Sequence, residues 1–156
     1  MSNSSRNGPN VKIVPPLVFL AGILVGSVAN IWMPTRIVPN PVVWAVGGIF
    51  VVCGLVLTGS AALKFKSAGT TVRPDRAPSA LVMSGPYRIS RNPMYLGLAV
   101  ISLGIAIADQ SFWTLIALAI VVALIQRHAI EPEEAFLEKR FGTEYLSYKH
   151  RVRRWI

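Results

Sequence analysis

Residues 93–126 read PMYLGLAVISLGIAIADQSFWTLIALAIVVALIQ, two apolar runs separated by a short polar turn at 109–111. Asn92 stands before the first run as a helix cap, and Pro93 suits the first turn of a helix. Ser111 stands before the second run, where its side chain can cap the return helix. The stretch therefore predicts a helical hairpin that returns the chain to the face it left.

Two further stretches, Ile13–Met33 and Pro41–Leu63, contain no charged residue. Each has about the 20 residues that a helix needs to cross a hydrocarbon core of roughly 30 Å. Together with the hairpin they predict an all-α integral membrane protein with about four transmembrane helices, at about 13–33, 41–63, 93–108 and 111–128. Because the hairpin arms are short, a re-entrant hairpin that never emerges on the far side is the alternative.

The distribution of charge predicts the orientation of the chain. Hydrophobic residues make up 53% of the 156 residues and charged residues 15%, with a net charge of +9. With four spans, every lysine and arginine except Arg36 falls on one face, which the positive-inside rule makes cytoplasmic. The net charge is then explained by anionic lipid headgroups and not by nucleic acid. We expect a multi-pass protein of the cell membrane with both termini cytoplasmic, membrane lipids as partners and no obligate protein partner.

The rest of the chain divides simply. We expect a flexible cytoplasmic N-terminus at 1–12 and a single membrane domain at 13–156, with a cytoplasmic loop at 64–92 and a helical cytoplasmic tail at 129–156. Cys53 is the one cysteine, so no intramolecular disulfide and no cysteine-based metal cluster can form, and no metal is predicted. No G-x-G-x-x-G motif follows a strand pattern, so a Rossmann fold is excluded.

Polar groups gather where the hairpin begins and ends. The hairpin topology places Tyr87–Tyr95 and Arg127–Glu134 at adjacent helix ends on the cytoplasmic face, which is a suitable place for an amphiphilic ligand. Each residue also has an ordinary structural interpretation. The arginines can be topology charges, the glutamates can favour a helix N-terminus, and the tyrosines and Trp155 can be interfacial anchors.

Several separated motifs occur in a fixed order over roughly 69–152: GTTVRP, LVMSGPYRISRNPMYLG and EEAFLEKRFGTEYLSYKHRV. The combination of G-P-Y-R, R-N-P-x-Y-x-G, an apolar hairpin, E-E-x-x-L and F-G-x-E-Y-x-x-Y resembles the isoprenylcysteine carboxyl methyltransferase and phospholipid methyltransferase group of membrane enzymes. The isoprenylcysteine enzymes usually have R-H-P where this chain has Arg91-Asn92-Pro93. That departure favours the broader, mostly prokaryotic branch of the group.

The resemblance implies methyl transfer from S-adenosylmethionine to a lipophilic or small acceptor, by O-, N- or S-methylation. It implies a cofactor site at the cytoplasmic helix ends and in the tail, formed by Tyr87, Arg91, Asn92, Pro93, Tyr95, Gly97, His128, Glu133, Glu134, Tyr145 and Tyr148. Carboxylates could pair with the cofactor's ammonium, an arginine with its carboxylate, and tyrosines with its adenine.

Three of these residues are the predicted catalytic groups. Methyl transfer is a single displacement that needs alignment but no enzyme nucleophile. Arg91 could orient a carboxylate acceptor, whereas His128 or Glu134 could take the proton of a thiol or amine acceptor. Two other functions remain possible on sequence alone. A membrane sterol or steroid reductase would use NADPH, and a small transporter subunit or scaffold would have no catalytic activity.

Overall fold

The computed structural model describes residues 11, 13–35, 41–69 and 78–156 of the chain. Every regular element among them is helical. The predicted flexible segment 1–12 lies outside the described residues except for Val11, and so do Arg36 and residues 70–77 of the predicted loop. The elements are α1 (Pro15–Trp32), α2 (Pro41–Ser67), a 3₁₀ turn (Gly85–Arg88), α3 (Pro93–Ala108), α4 (Phe112–Ile125), a π turn (Gln126–Ile130), α5 (Glu131–Phe141) and α6 (Thr143–Arg151).

Three helices are long and apolar enough to cross a membrane: Pro15–Trp32, Pro41–Ser67 and the continuous helix Phe112–Phe141. The apolar helix Pro93–Ala108 is shorter. Large apolar side chains along α1 and α2 are exposed, among them Leu24 and Leu55, as a lipid-facing surface requires. The predictions of an all-α membrane protein and of no Rossmann fold are therefore confirmed.

Helix α2 packs along α3, and α1 packs along α4. The first pair is drawn together by glycines, because Gly54 faces Gly97 and Gly47 faces Gly104 across the interface. A Cβ atom on Gly97 would stand 2.8 Å from the carbonyl oxygen of Gly54, and one on Gly104 would stand 2.6 Å from that of Gly47. In a membrane the hydrophobic effect does not drive helices together, because the lipid tails are as apolar as the side chains. Small residues let the backbones approach closely, and the packing between them holds the helices together.

At one end of the bundle the hairpin turn is tied to the end of α1. Ser111 accepts a hydrogen bond from the Thr114 N–H at 3.1 Å, so the predicted helix cap is confirmed. The buried Asn30 donates to the Asp109 carbonyl at 3.4 Å and accepts from the Thr35 hydroxyl at 2.9 Å. We call this neutral group of side chains the turn network.

The opposite end brings the beginning of α1, the end of α4 and the end of the chain together. Val11, Ile13, Tyr95 and Trp155 all pack against a buried cluster that includes Phe19, Val121, Ile125, Ala129 and Ile130. The end of α2 is there too, since the side chain of Lys64 lies beside Gly85. The convergence that the hairpin pattern predicts is therefore present at this end.

Candidate active site

The candidate site begins with an irregularity in the last long helix. Residues 126–130 form a π turn in which the Glu131 N–H bonds to the Gln126 carbonyl. Pro132 has no N–H for the carbonyl of His128, and its ring would crowd that oxygen in a regular helix. The wider π turn relieves this conflict, and such turns are frequent at functional sites. The helix therefore continues past His128 to Phe141 and does not end at the predicted boundary of the span.

Glu134 lies in α5 beyond this turn and is only 5% exposed. Arg154 donates two hydrogen bonds to its carboxylate, from Nε to Oε1 at 3.2 Å and from Nη2 to Oε2 at 2.8 Å. Arg91 approaches the same carboxylate, with Nη2 at 3.4 Å from Oε1. Arg154 also lies 3.5 Å from Glu131 at the surface. The hydrogen bonds to Glu134 raise the pKa of Arg154 above its usual value.

Arg91 is the second buried charge, with a side chain that is 9% exposed. Its Nε and Nη1 groups have no hydrogen-bond partner in the described structure. Buried polar groups are nearly always paired, so an arginine with two unpaired N–H positions points to an anionic group that binds there.

The end of the chain passes directly beside Arg91. The Arg91 N–H bonds to the Arg153 carbonyl at 3.0 Å. The Arg154 carbonyl accepts from the Ser90 hydroxyl at 3.0 Å and from the Asn92 amide at 3.3 Å. We call residues 152–156 the C-terminal strap, because they connect the segment before α3 to α5. Asn92 does not cap α3 with its side chain, so that expectation is wrong; its amide binds the strap instead.

A second carboxylate, Glu133, accepts a hydrogen bond of 2.6 Å from the hydroxyl of Tyr95. It lies in α5, beyond the apolar α4 segment. Burial raises the pKa of Glu133 to about 7, although the bond from Tyr95 lowers it. The Tyr87 hydroxyl is buried nearby without a hydrogen-bond partner in the described structure. The two adjacent carboxylates therefore differ, since Glu134 is paired with arginines and Glu133 with a tyrosine.

Three tyrosines form an aromatic wall next to the charged groups. Tyr87, Tyr145 and Tyr148 are all less than 5% exposed and belong to one apolar cluster. The Tyr148 hydroxyl donates to the Tyr87 carbonyl at 2.7 Å, which fixes α6 against the 3₁₀ turn. Burial raises the pKa of all three hydroxyls, so the wall stays uncharged at neutral pH.

Comparison with known proteins shows which family the chain belongs to. The family model described as phospholipid methyltransferase matches residues 42–144, about two thirds of the chain. The chain belongs to the phospholipid methyltransferase family. This is a family of membrane methyltransferases, so the chain is a member of an enzyme family.

Individual relatives match this chain over shorter stretches. An uncharacterized protein of Haemophilus influenzae is 36% identical over 63 residues, which is 40% of this chain and all of that protein. Protein-S-isoprenylcysteine O-methyltransferases A and B of Arabidopsis thaliana are each 36% identical over 72 residues. That match covers 46% of this chain and 36% of each plant protein. No solved structure matches the chain.

Most of the predicted site residues come together in the structure, and a few do not. Gly97 lies against Gly54 in the α2–α3 interface, and Pro93 is fully buried at the beginning of α3. His128 is exposed, and its Nδ1 lies 3.0 Å from the carbonyl of Leu124 in its own helix. No described hydrogen bond or ion pair joins His128 to the charged groups of α5.

Arg154 and Ser90 are the residues of the site that the sequence motifs do not predict. The cluster of arginines near Trp155 has the composition of a membrane interface, and that composition suggests no partner for any one of them. Only the fold shows that the backbone turns back after α6 and carries Arg154 to Glu134. The Trp155 ring N–H then bonds to Gln126 at 3.0 Å and holds the strap on the π turn.

Proposed function

We propose that the chain transfers a methyl group from S-adenosylmethionine to a lipophilic or small acceptor at the cytoplasmic face of the cell membrane. The observation that carries the proposal is Arg91, a buried arginine with unpaired Nε and Nη1 groups beside the carboxylate of Glu134. The amino-acid end of the cofactor carries one carboxylate and one ammonium. A site that offers both signs of charge within one buried group of side chains suits such a zwitterion.

The residues of the chain divide the binding between them. Arg91 would hold the cofactor carboxylate, because its free N–H groups need an anionic acceptor. Glu133 and Glu134 would attract the ammonium, and the wall of Tyr87, Tyr145 and Tyr148 would pack against the adenine and exclude water. When bound, the cofactor supplies a methyl group on a positively charged sulfur. The chain would contribute alignment and a dry pocket, which account for much of the rate of such transfers.

The acceptor decides whether a base is needed. A carboxylate acceptor has no proton to lose, and Arg91 could orient it as the sequence suggests. An amine, thiol or hydroxyl acceptor must release a proton. Glu134 is held by two arginines and His128 is exposed, so neither of the predicted bases is well placed. Glu133 is the better placed candidate, since its partner is the neutral Tyr95.

The position at the membrane follows from the helix ends. The site lies where α3 begins and α4 ends, with the exposed apolar side chain of Ile89 beside it. A long-chain acceptor could therefore approach from the lipid while the cofactor comes from water. The positive-inside distribution supports the cytoplasmic side for this end, and we propose that both termini lie there. We propose membrane lipids as the surroundings of the acceptor and no nucleic acid as a partner.

The test is cofactor binding followed by methyl transfer. The purified protein in detergent is titrated with S-adenosylhomocysteine by calorimetry, and then incubated with radiolabelled S-adenosylmethionine and native membrane extract. We expect binding and one labelled product class. Arg91→Ala should weaken binding by roughly a hundredfold, because charge-assisted bonds to a buried group are strong. The exposed Arg88→Ala is the matched control and should leave binding unchanged.

Two results would overturn the proposal. Binding of NADPH without S-adenosylhomocysteine would indicate a membrane reductase. Cofactor binding that survives both Arg91→Ala and Glu134→Ala would place the ligand elsewhere, and a transporter subunit or scaffold would then gain support.

A further inference from the structure

The C-terminal strap places one arginine in an unusual position. Arg154 comes from the last five residues of the chain, yet its guanidinium makes a two-point contact with a carboxylate that is 95% buried. A membrane anchor would need only exposed cations near headgroups. The neighbouring Arg153 fits that role, because its side chain is exposed.

The strap is held by its backbone independently of the Arg154 side chain. The carbonyls of Arg153 and Arg154 accept from the Arg91 N–H, the Ser90 hydroxyl and the Asn92 amide. Trp155 adds its bond to Gln126. The Arg154 guanidinium is therefore free to have a separate purpose, since the strap would remain attached without it.

The role of this guanidinium is indicated by how Arg154 and Arg91 each contact the Glu134 carboxylate. Arg154 binds both carboxylate oxygens through Nε and Nη2, which is the side-on fork that fixes the orientation of a carboxylate. Arg91 reaches only one of those oxygens, through Nη2 and at the longer distance of 3.4 Å. Because Glu134 is turned toward Arg154, Arg91 keeps Nε and Nη1 unpaired.

We infer that Arg154 is a positioning residue that holds Glu134 away from a two-point pair with Arg91 and so keeps Arg91 available to an anionic ligand. This inference rests on the proposed function, in which that anion is the carboxylate of the cofactor. Without Arg154, the strongest buried cation near Glu134 is Arg91. The carboxylate would rotate onto it, and the ligand would have to displace an internal ion pair before it could bind.

The inference is tested by measuring the Kd of S-adenosylhomocysteine for Arg154→Ala, Arg154→Lys and Arg153→Ala in detergent. We expect Arg154→Ala to raise the Kd by about tenfold or more. Arg154→Lys should rescue part of the loss, because one ammonium can hold one oxygen but cannot form the fork. Arg153→Ala keeps its backbone carbonyl and should bind like the wild type.

Activity with labelled cofactor separates positioning from a general loss of structure. The KM for the cofactor should rise in Arg154→Ala, while the rate at saturating cofactor stays within about threefold of the wild type. An unchanged Kd in Arg154→Ala, with wild-type binding intact, would overturn the inference alone. If Arg154→Ala does not fold, the Kd of Arg154→Lys tests the inference instead. A wild-type Kd for Arg154→Lys would contradict the inferred role of the two-point contact between Arg154 and Glu134. If the wild-type protein binds no S-adenosylhomocysteine at all, the proposed function itself fails.

Discussion

The two polar ends of the helix bundle are built differently. At the hairpin turn, the turn network joins neutral groups, and Asn30, Thr35, Ser111 and Thr114 all have hydrogen-bond partners. At the other end the buried groups include the charged Arg91 and Glu134. Three of the four buried side-chain atoms that lack a partner in the described residues lie there, namely Arg91 Nε, Arg91 Nη1 and the Tyr87 hydroxyl, and the fourth is the Thr58 hydroxyl in the α2–α3 interface. Within the described residues, no buried side-chain atom of the turn network lacks a partner.

The two ends therefore suggest two different roles for buried polar groups: at the turn they hold helices together, and at the site we propose that they bind a ligand. A closed neutral network in a membrane protein holds helices together because its groups have nowhere else to pair. An open charged group costs stability unless something occupies it, which supports the proposed ligand at Arg91. The contrast predicts that substitutions at the turn reduce stability alone, whereas substitutions at the site also remove ligand binding.

The largest effect should follow from Glu134→Gln. It leaves Arg91 and Arg154 without their buried anion, and loss of one partner of a buried pair costs roughly 3–5 kcal/mol. We expect a marked fall in the unfolding temperature in detergent and loss of measurable cofactor binding. Glu138→Gln is the control on the same helix, because the Lys149–Glu138 pair is exposed and such pairs contribute about 0–1 kcal/mol. If the two substitutions had equal effects on the unfolding temperature and on cofactor binding, the assignment of Glu134 to the site would be contradicted.

A smaller effect should follow from Gly97→Ala, which tests a residue that the motif assigns to the cofactor site. The added methyl would meet the Thr58 hydroxyl and, at 2.8 Å, the carbonyl oxygen of Gly54 in α2, and overpacking costs roughly 1–3 kcal/mol. Gly104→Ala creates a comparable clash with the α2 backbone at Gly47 and Val51, two helical turns farther from the site. We expect both to lower the unfolding temperature similarly. A selective loss of cofactor binding in Gly97→Ala would show instead that Gly97 contacts the ligand.

Asn30→Ala tests the other side of the comparison. It leaves the Asp109 carbonyl and the Thr35 N–H without the amide, at a cost of roughly 1–2 kcal/mol. The free energy of unfolding, measured by thermal unfolding in detergent, should decrease by that amount. The Kd for S-adenosylhomocysteine should stay at the wild-type value. A weakened Kd would mean that the turn network and the site are coupled through the hairpin, and the two ends would no longer be separable.

Much of the fold could be predicted from the sequence because its signals are local. Uncharged runs predict membrane helices, and Ser111 predicts the beginning of α4. The hairpin then brings the segment before α3 to the segment after α4. The π turn could not be predicted, because Pro132 conflicts with a regular helix but does not specify whether the helix bends, breaks or widens.

The site could be predicted only in part, for a similar reason. The motifs name Arg91, Glu134 and the tyrosines, and the structure places these near each other. They do not name Arg154, because its partner lies 20 residues away and the intervening α6 and turn decide the direction of the chain. A composition of arginines beside a tryptophan cannot distinguish the one that turns inward from those that face the membrane.

A modest pH effect should come from Glu133. Its pKa in the folded chain rises from the ordinary 4.5 to about 7, because of burial, while Tyr95, Tyr87 and Glu134 surround it. Between pH 4.5 and pH 7 the folded state therefore retains a proton that the unfolded state has released, so this group's stabilisation decreases as pH rises and levels off above 7. Glu133→Gln should remove that decrease when thermal unfolding is compared across this range. Parallel profiles for wild type and variant would contradict the assignment.

The smallest effect should come from His128→Ala, although the motif names His128 as a catalytic candidate. The imidazole is exposed, and its nearest polar contact is the Leu124 carbonyl one turn earlier. A base must reach the proton of the acceptor directly or through one water, and no described hydrogen bond or ion pair joins this ring to the buried charges. We therefore expect methyl transfer within about twofold of the wild type, whereas loss of a positioned base typically costs roughly a hundredfold or more. An inactive His128→Ala that still binds cofactor normally would show that the acceptor approaches over the outer surface of the π turn, and the active site would then extend beyond the group around Arg91.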